Sequence, residues 1–152
     1  MKIFSSIVLF LIISSCGFKV VNLSDAGFSI IEIKMTGNKR INYLIKNNLS
    51  ANPVESKNEV IVNIGTQKNK TIKERNIKNE ITKYNISITA EVTLEPINSS
   101  KSITFSIREN GSFVVGAQNS ITRNNEKNLI SLLAKEIADE ILLEIKLKSN
   151  DL

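Results

Sequence analysis

Few residues in this chain are equipped for chemistry. Among 152 residues there is one cysteine, Cys16, and no histidine or tryptophan. A Ser-His-Asp or Cys-His relay needs an imidazole, so those mechanisms are excluded. A structural zinc site takes about four nitrogen or sulfur ligands, more than one thiol supplies, and one cysteine forms no internal disulfide. Glu91 and Glu95 share one face of an alternating segment, but no catalytic partner accompanies them and they read as solvent-facing. No catalytic residue, metal or cofactor is therefore expected, and a common enzyme site is hard to find. What remains is the thiol and an excess of cations: 20 Lys and Arg against 15 Asp and Glu, a net charge of +5. Five of those cations meet a single anion in the stretch from Lys68 to Lys78. Such a stretch suits an anionic partner, and a guanidinium within it offers phosphate a planar fork of donors.

The setting of Cys16 is specific. Lys2 precedes an apolar run from Ile3 to Ile13, broken only by Ser5 and Ser6, and small residues follow at Ser14 and Ser15. That is the layout of a secretory signal. It is too short for a spanning helix, which needs about 20 apolar residues. Ile13-Ser14-Ser15-Cys16 resembles a bacterial lipobox. The resemblance implies that the Cys16 thiol takes a diacylglyceryl group, that cleavage falls before it, and that the new amine is acylated. Each buried CH₂ contributes about 0.8 kcal/mol, so several chains on one residue make a lasting anchor. Gly17, where an Asp would imply retention at the inner membrane, favours the outer membrane by the same resemblance. Export argues against a nucleic-acid partner despite the positive charge. The expected organisation is a signal peptide over residues 1–15, a lipidated lead over 16–27 and one folded domain over 28–148.

Positioning elements follow from hydrophobic period. Phe28 to Lys34 reads as a strand, punctuated by Gly37-Asn38. Ile41, Leu44, Ile45 and Leu49 recur at helical spacing over 39–49, ahead of Asn52-Pro53. Val60, Val62 and Ile64 alternate in a second strand over 59–67, and the charged stretch after it reads as a loop. The clearest strand runs over 84–95, with Tyr84, Ile86, Ile88, Ala90, Val92 and Leu94 on one face. Ser87, Thr89, Glu91 and Thr93 lie on the other, a polar surface open to water or a partner. Ile103, Phe105 and Ile107 repeat the pattern, and Asn110-Gly111 reads as a turn. A final helix is expected over 125–146, capped by Asn124 or Asn125. Its core-facing stripe is Leu129, Ile130, Leu133, Ala134, Ile137, Ala138, Ile141 and Ile145. The order β-α-β-β-β-α predicts an α+β two-layer sandwich, a four-stranded, mainly antiparallel sheet with two helices on one face.

A cysteine followed by Gly17-Phe18, the strand YNISITAEVTL over 84–94, the strand over 102–108, and Arg123-Asn124-Asn125-Glu126 opening a long last helix together resemble the LptE family of lipopolysaccharide-assembly lipoproteins. The resemblance implies an outer-membrane protein, lipid-anchored on the periplasmic side. Its partners would be an LptD-type β-barrel, which it plugs and helps to assemble, and lipopolysaccharide. It also implies lipopolysaccharide contacts from basic residues in the loop after the second strand, here Arg75 and Lys78, and just before the last helix, here Arg123. The alternative is a periplasm-facing outer-membrane lipoprotein that binds another protein or a small ligand.

Overall fold

The computed structural model describes residues 28–50, 59–98 and 101–148. Cys16, the signal segment and the lead lie outside them. The elements run β1 (Ser29–Gly37), α1 (Lys39–Ser50), β2 (Glu59–Arg75), β3 (Ile81–Pro96), β4 (Ile103–Val114) and α2 (Asn119–Lys148). The sheet order is β1-β2-β3-β4, with β1 parallel to β2 and the other pairs antiparallel. This is the expected α+β sandwich. The parallel pair requires a crossover, and α1 supplies it.

One face of the sheet carries the core. Val60, Val62 and Ile64 of β2 lie beside Leu94 and Val92 of β3, and Ile107 of β4 lies opposite Ala90. These residues meet Ile41, Ile45 and Leu49 of α1 and the α2 stripe from Ile130 to Ile145 in one buried cluster. The stripe is the expected one, with Leu142 added and Leu129 packed at its margin. In β1, a bulge between Ile30 and Glu32 turns Ile31 outward while Ile33 and Met35 pack on the core.

The opposite sheet face is polar and bonded across strands. Arg108 Nε donates to Ser87 Oγ at 2.9 Å, and the hydroxyls of Thr93 and Thr104 meet at 3.0 Å. Ser87 is consequently buried, not open for a partner, whereas Glu91 and Glu95 are exposed as expected.

Three boundaries differ from the sequence reading, each for a physical reason. The charged stretch after Gln67 is not a loop: β2 continues to Arg75, paired with β3 throughout. Its inward residues there are Lys68, Lys70 and Ile72, and lysine stems cover the ring edge of the core while their charges reach out. Asn110-Gly111 is not a turn but the middle of β4, opposite Ser87 and Ile86. At Gly111 an added Cβ would sit 2.6 Å from Leu129 Cδ1, so glycine admits α2 close to the sheet. Finally, α2 starts at Asn119, not near Asn125. Its first turns are polar, and Asn125 does not cap the helix; its Nδ2 donates to the Val114 carbonyl at 3.0 Å.

The inner face also carries one acid. Glu109, opposite Ile88, faces α2. Burial, then the charge of Glu140 and a hydrogen bond shared with it, raise its pKa above the usual glutamate value; a bond from the Asn110 backbone opposes them. A carboxyl whose pKa rises on folding destabilises the fold once pH climbs through the interval between its unfolded and folded values. Glu109→Gln is therefore expected to raise the melting temperature at neutral pH. Thermal melts against pH check this: the gain should vanish below the ordinary glutamate range, and a pH-independent gain would refute the coupling.

Candidate anion-binding cleft

The end of the sheet where β1 stops is built around Thr66. Gly37 ends β1 with φ +97°. The chain then turns into α1, and Asn38 caps it: its Oδ1 accepts from the Ile41 backbone N–H at 3.2 Å. The Asn38 N–H donates to Thr66 Oγ1 at 3.1 Å, and Thr66 Oγ1 also bonds the Asn42 side chain. Asn42 Nδ2 donates in turn to the Thr36 carbonyl at 3.1 Å. Thr66 is buried, so the start of α1 is held against β2 by satisfied polar groups.

Beside this joint lies a cleft of about 290 Å³ between the first turns of α1 and α2 and the middle of β2. Ile41 and Ile130 form its buried floor, and Asn38 lies at its edge. Arg40, Lys68, Arg123 and Lys127 bring four cations, against the single carboxylate of Glu126. Glu126 is already engaged, by Lys70 at 2.7 Å and Lys68 at 3.3 Å. Burial works against its charged form, but the hydrogen bonds from Lys70 and Lys68 and then their charges outweigh it and hold its pKa below the usual value. Lys70 is itself placed by the core, its ammonium 4.3 Å from the Tyr84 ring centroid and 5.0 Å from that of Phe113.

Arg40, Arg123 and Lys127 have no ion-pair or hydrogen-bond partner for their charged ends among the described residues. Arg123 and Lys127 stand one helical turn apart on the same face, where like charges repel. The positive end of α1 adds to that field. A bound anion relieves all three strains together. The cleft can hold a phosphate-sized group.

Of the residues marked by sequence, Arg123 lines this cleft, as part of α2 and not as a residue before it. Arg75 and Lys78 do not join it. Arg75 ends β2, seven residues and roughly 23 Å of strand beyond Lys68. Its Nη1 donates to the Asn79 carbonyl at 2.8 Å, and Lys78 sits in the turn that follows. Arg40, Lys68 and Lys127 were not foreseen; the one local signal is Arg40 two residues after a capping Asn.

This sheet and its two-helix cover are an arrangement also found in solved bacterial lipoproteins. The chain superposes on rare lipoprotein B from Shewanella oneidensis with a TM-score of 0.61 at 12% identity, over 79% of this chain and 97% of that one. It superposes on an uncharacterized lipoprotein B from Nitrosomonas europaea with a TM-score of 0.63 at 16% identity, over 88% and 93% respectively. At these identities the likeness is one of fold. No protein-family model and no curated protein matches the sequence.

Proposed function

We propose that this chain is an outer-membrane lipoprotein of the LptE type, non-catalytic, lipidated at Cys16, that plugs an LptD-type β-barrel and helps deliver lipopolysaccharide to the outer leaflet. The observation that carries the reading is the fold shared with lipoproteins over 88% of the chain. Three features fit it. The lipobox-like Ile13-Ser14-Ser15-Cys16 supplies the anchor. The polar outer sheet face suits the wet interior of a large barrel. The 17 residues of β2 make a strand of about 56 Å, longer than the roughly 40–45 Å of a bilayer with its headgroups.

The reading also sets an orientation. Phe28 lies at the end of the sheet where Ser29 pairs with Glu59, remote from the 76–80 turn. An anchor attached through residues 16–27 would hold that end near the periplasmic leaflet and leave the basic end pointing away from it. The phosphates of lipid A are the anions proposed for the cleft, with Arg123 and Arg40 as the principal donors and Arg75 and Lys78 as outlying charges.

Affinity purification of the tagged full chain from the outer membranes of its own host tests the role. A large β-barrel should copurify in stoichiometric amount, and the same pull-down with Cys16→Ser should lose it as the uncut precursor fails to reach that membrane. Recovery of the wild-type protein from inner membranes, or without any barrel, would overturn the proposal.

A further inference from the structure

The two edges of the sheet are built differently. At the β1 edge the pairing is broken by the bulge between Ile30 and Glu32, a device that turns an edge away from further strands. The β4 edge has no such guard. Its pairing to β3 runs without a register shift from Leu94 opposite Ile103 to Lys83 opposite Val114. Its 12 residues contain neither proline nor lysine, and its one arginine, Arg108, folds back to Ser87 on the outer face. The inner residues of β3 are buried from Ile86 to Leu94, whereas Ile103, Phe105 and Glu109 of β4 are only half-buried. A long, straight, unguarded edge is a template for one more strand.

Helix α2 roofs this edge. Leu129 and Leu133 lie over Gly111, Glu140 reaches Glu109, and the Lys148 ammonium stands 5.6 Å from the Phe105 ring centroid. The helix therefore follows β4 in the opposite direction. At 3.6 residues per turn, Leu129, Glu136, Glu140 and Leu147 fall in one sector of about 40°. Leu129 and Glu140 are already against β4, which places the whole stripe over the edge strand. Glu136, Glu140 and Leu147 are nonetheless exposed, because among the described residues the sheet ends at β4. The middle of the stripe is acidic. Glu136 and Glu140 stand one turn apart and repel, and Glu109 adds a third carboxyl beside them. Lys135 answers Asp139 at 2.7 Å and Lys148 answers Glu144 at 3.0 Å. No such ion pair serves Glu136 or Glu140 among the described residues.

We propose that β4 accepts a fifth strand from a protein partner, an extended segment that pairs with the β4 edge and sets lysine or arginine side chains beneath α2 against Glu136, Glu140 and Glu109, with an aliphatic residue at each end against Leu129 and Leu147. By helical rise the stripe is about 27 Å long, which about eight residues of strand cover. The segment's alternate, outward positions continue the hydroxyl-bearing face on which Thr93 and Thr104 already meet. Charge selects the partner. A second copy would bring its own acidic stripe to the same edge, and like charges would face each other. A cationic strand relieves the repulsion instead. The inference needs neither the barrel nor the cleft, since a peptide in solution tests it.

The probe is a blocked, fluorescently labelled peptide in which every second residue is threonine and the others alternate valine and lysine. Titrated against the full chain, it should bind saturably and slow hydrogen exchange at the β4 amides that point away from β3. Its counterpart with glutamate in place of lysine should not bind. Methylating one alternate set of peptide amides should abolish binding and methylating the other set should not, because a strand uses one edge to pair. Glu136→Gln combined with Glu140→Gln should weaken binding about tenfold. Glu91→Gln combined with Glu95→Gln, on the exposed outer face, should leave it unchanged. Absence of saturable binding overturns the proposal. So does binding that survives both methylations, which would mean adsorption by charge alone, or binding indifferent to the Glu136 and Glu140 pair. Dimerisation of the free chain that protects the same β4 amides also overturns it, and gives the edge to a second copy.

Discussion

Gly37→Ala is expected to destabilise the fold by on the order of 4 kcal/mol, a fall of about 12–20 °C in melting temperature. Two costs combine. At φ +97° an L side chain is strained, and the new Cβ would overlap the backbone carbonyl oxygen of Thr66. The second cost cannot relax through a rotamer, because the obstacle is main chain in a paired strand. Moving either strand disturbs Thr66, whose hydroxyl joins the Asn38 N–H and the Asn42 side chain at the start of α1. Chemical denaturation of the full chain checks the magnitude. Gly111→Ala is the control: its new Cβ would meet the end of the Leu129 side chain, which can swing away, so a clearly smaller loss is expected. Equal losses at both glycines would show that backbone conformation at Gly37 is not what matters. The same variant probes the cleft, since Gly37 sets where α1 begins and hence where Arg40 stands.

Elements whose inward residues are aliphatic could be read from sequence almost whole. The strand from Tyr84 onward and the α2 stripe alternate at periods of two and 3.6, because each buries one continuous face. Legibility failed where that face changes character. Beyond Thr66, β2 keeps its register but its inward positions become Lys68 and Lys70, paired to Glu126 from a helix more than fifty residues away. Alternation of hydrophobicity disappears there although alternation of side-chain direction does not. Asn110-Gly111 failed differently. Its turn chemistry is real in isolation, but pairing to Ser87 and Ile86 and the close approach of Leu129 overrule it. The first turns of α2 contain no apolar period, so nothing local marks Asn119 as their start.

The site was less legible than the fold, for a related reason. Arg123 was singled out through a family resemblance, and the structure gives it physical company: Arg40 from α1, Lys68 from β2 and Lys127 one turn along α2. Those residues span 88 positions of the chain, and in a sequence rich in lysine none differs visibly from a solvated charge. The dense basic stretch after Gln67 drew attention by composition, yet its members separate by direction. Lys68 and Lys70 turn inward to Glu126, while Arg75 and Lys78 end at the hairpin tip. A cluster in sequence is thus divided between two sites, and a cluster in space is assembled from three elements.

That division yields the largest functional effect expected. On the proposed reading, Arg123→Glu combined with Arg40→Glu should weaken lipopolysaccharide binding by at least about a hundredfold, since each charge-assisted hydrogen bond to phosphate contributes roughly 1.5–3 kcal/mol, about ten- to a hundredfold apiece. Both side chains are exposed and unpaired among the described residues, so the melting temperature should hold nearly constant and a loss of affinity is not a loss of fold. Arg75→Glu combined with Lys78→Glu should cost less than about tenfold, in a manner that fades as salt rises, because charges on an open tip act through solvent at a screening length near 10 Å. Titration of each purified full-length variant with lipopolysaccharide at low and at physiological ionic strength separates the cases. A cleft pair that leaves affinity intact while the tip pair abolishes it would move the phosphate site to the hairpin. Glu126→Gln adds a test of sign: losing the one carboxylate in the cleft frees Lys68 and Lys70 from their partner, and should tighten binding while lowering stability only slightly. A variant that weakens binding there would mean that Glu126, by holding the two lysines in place, shapes the cleft more than it opposes the anion.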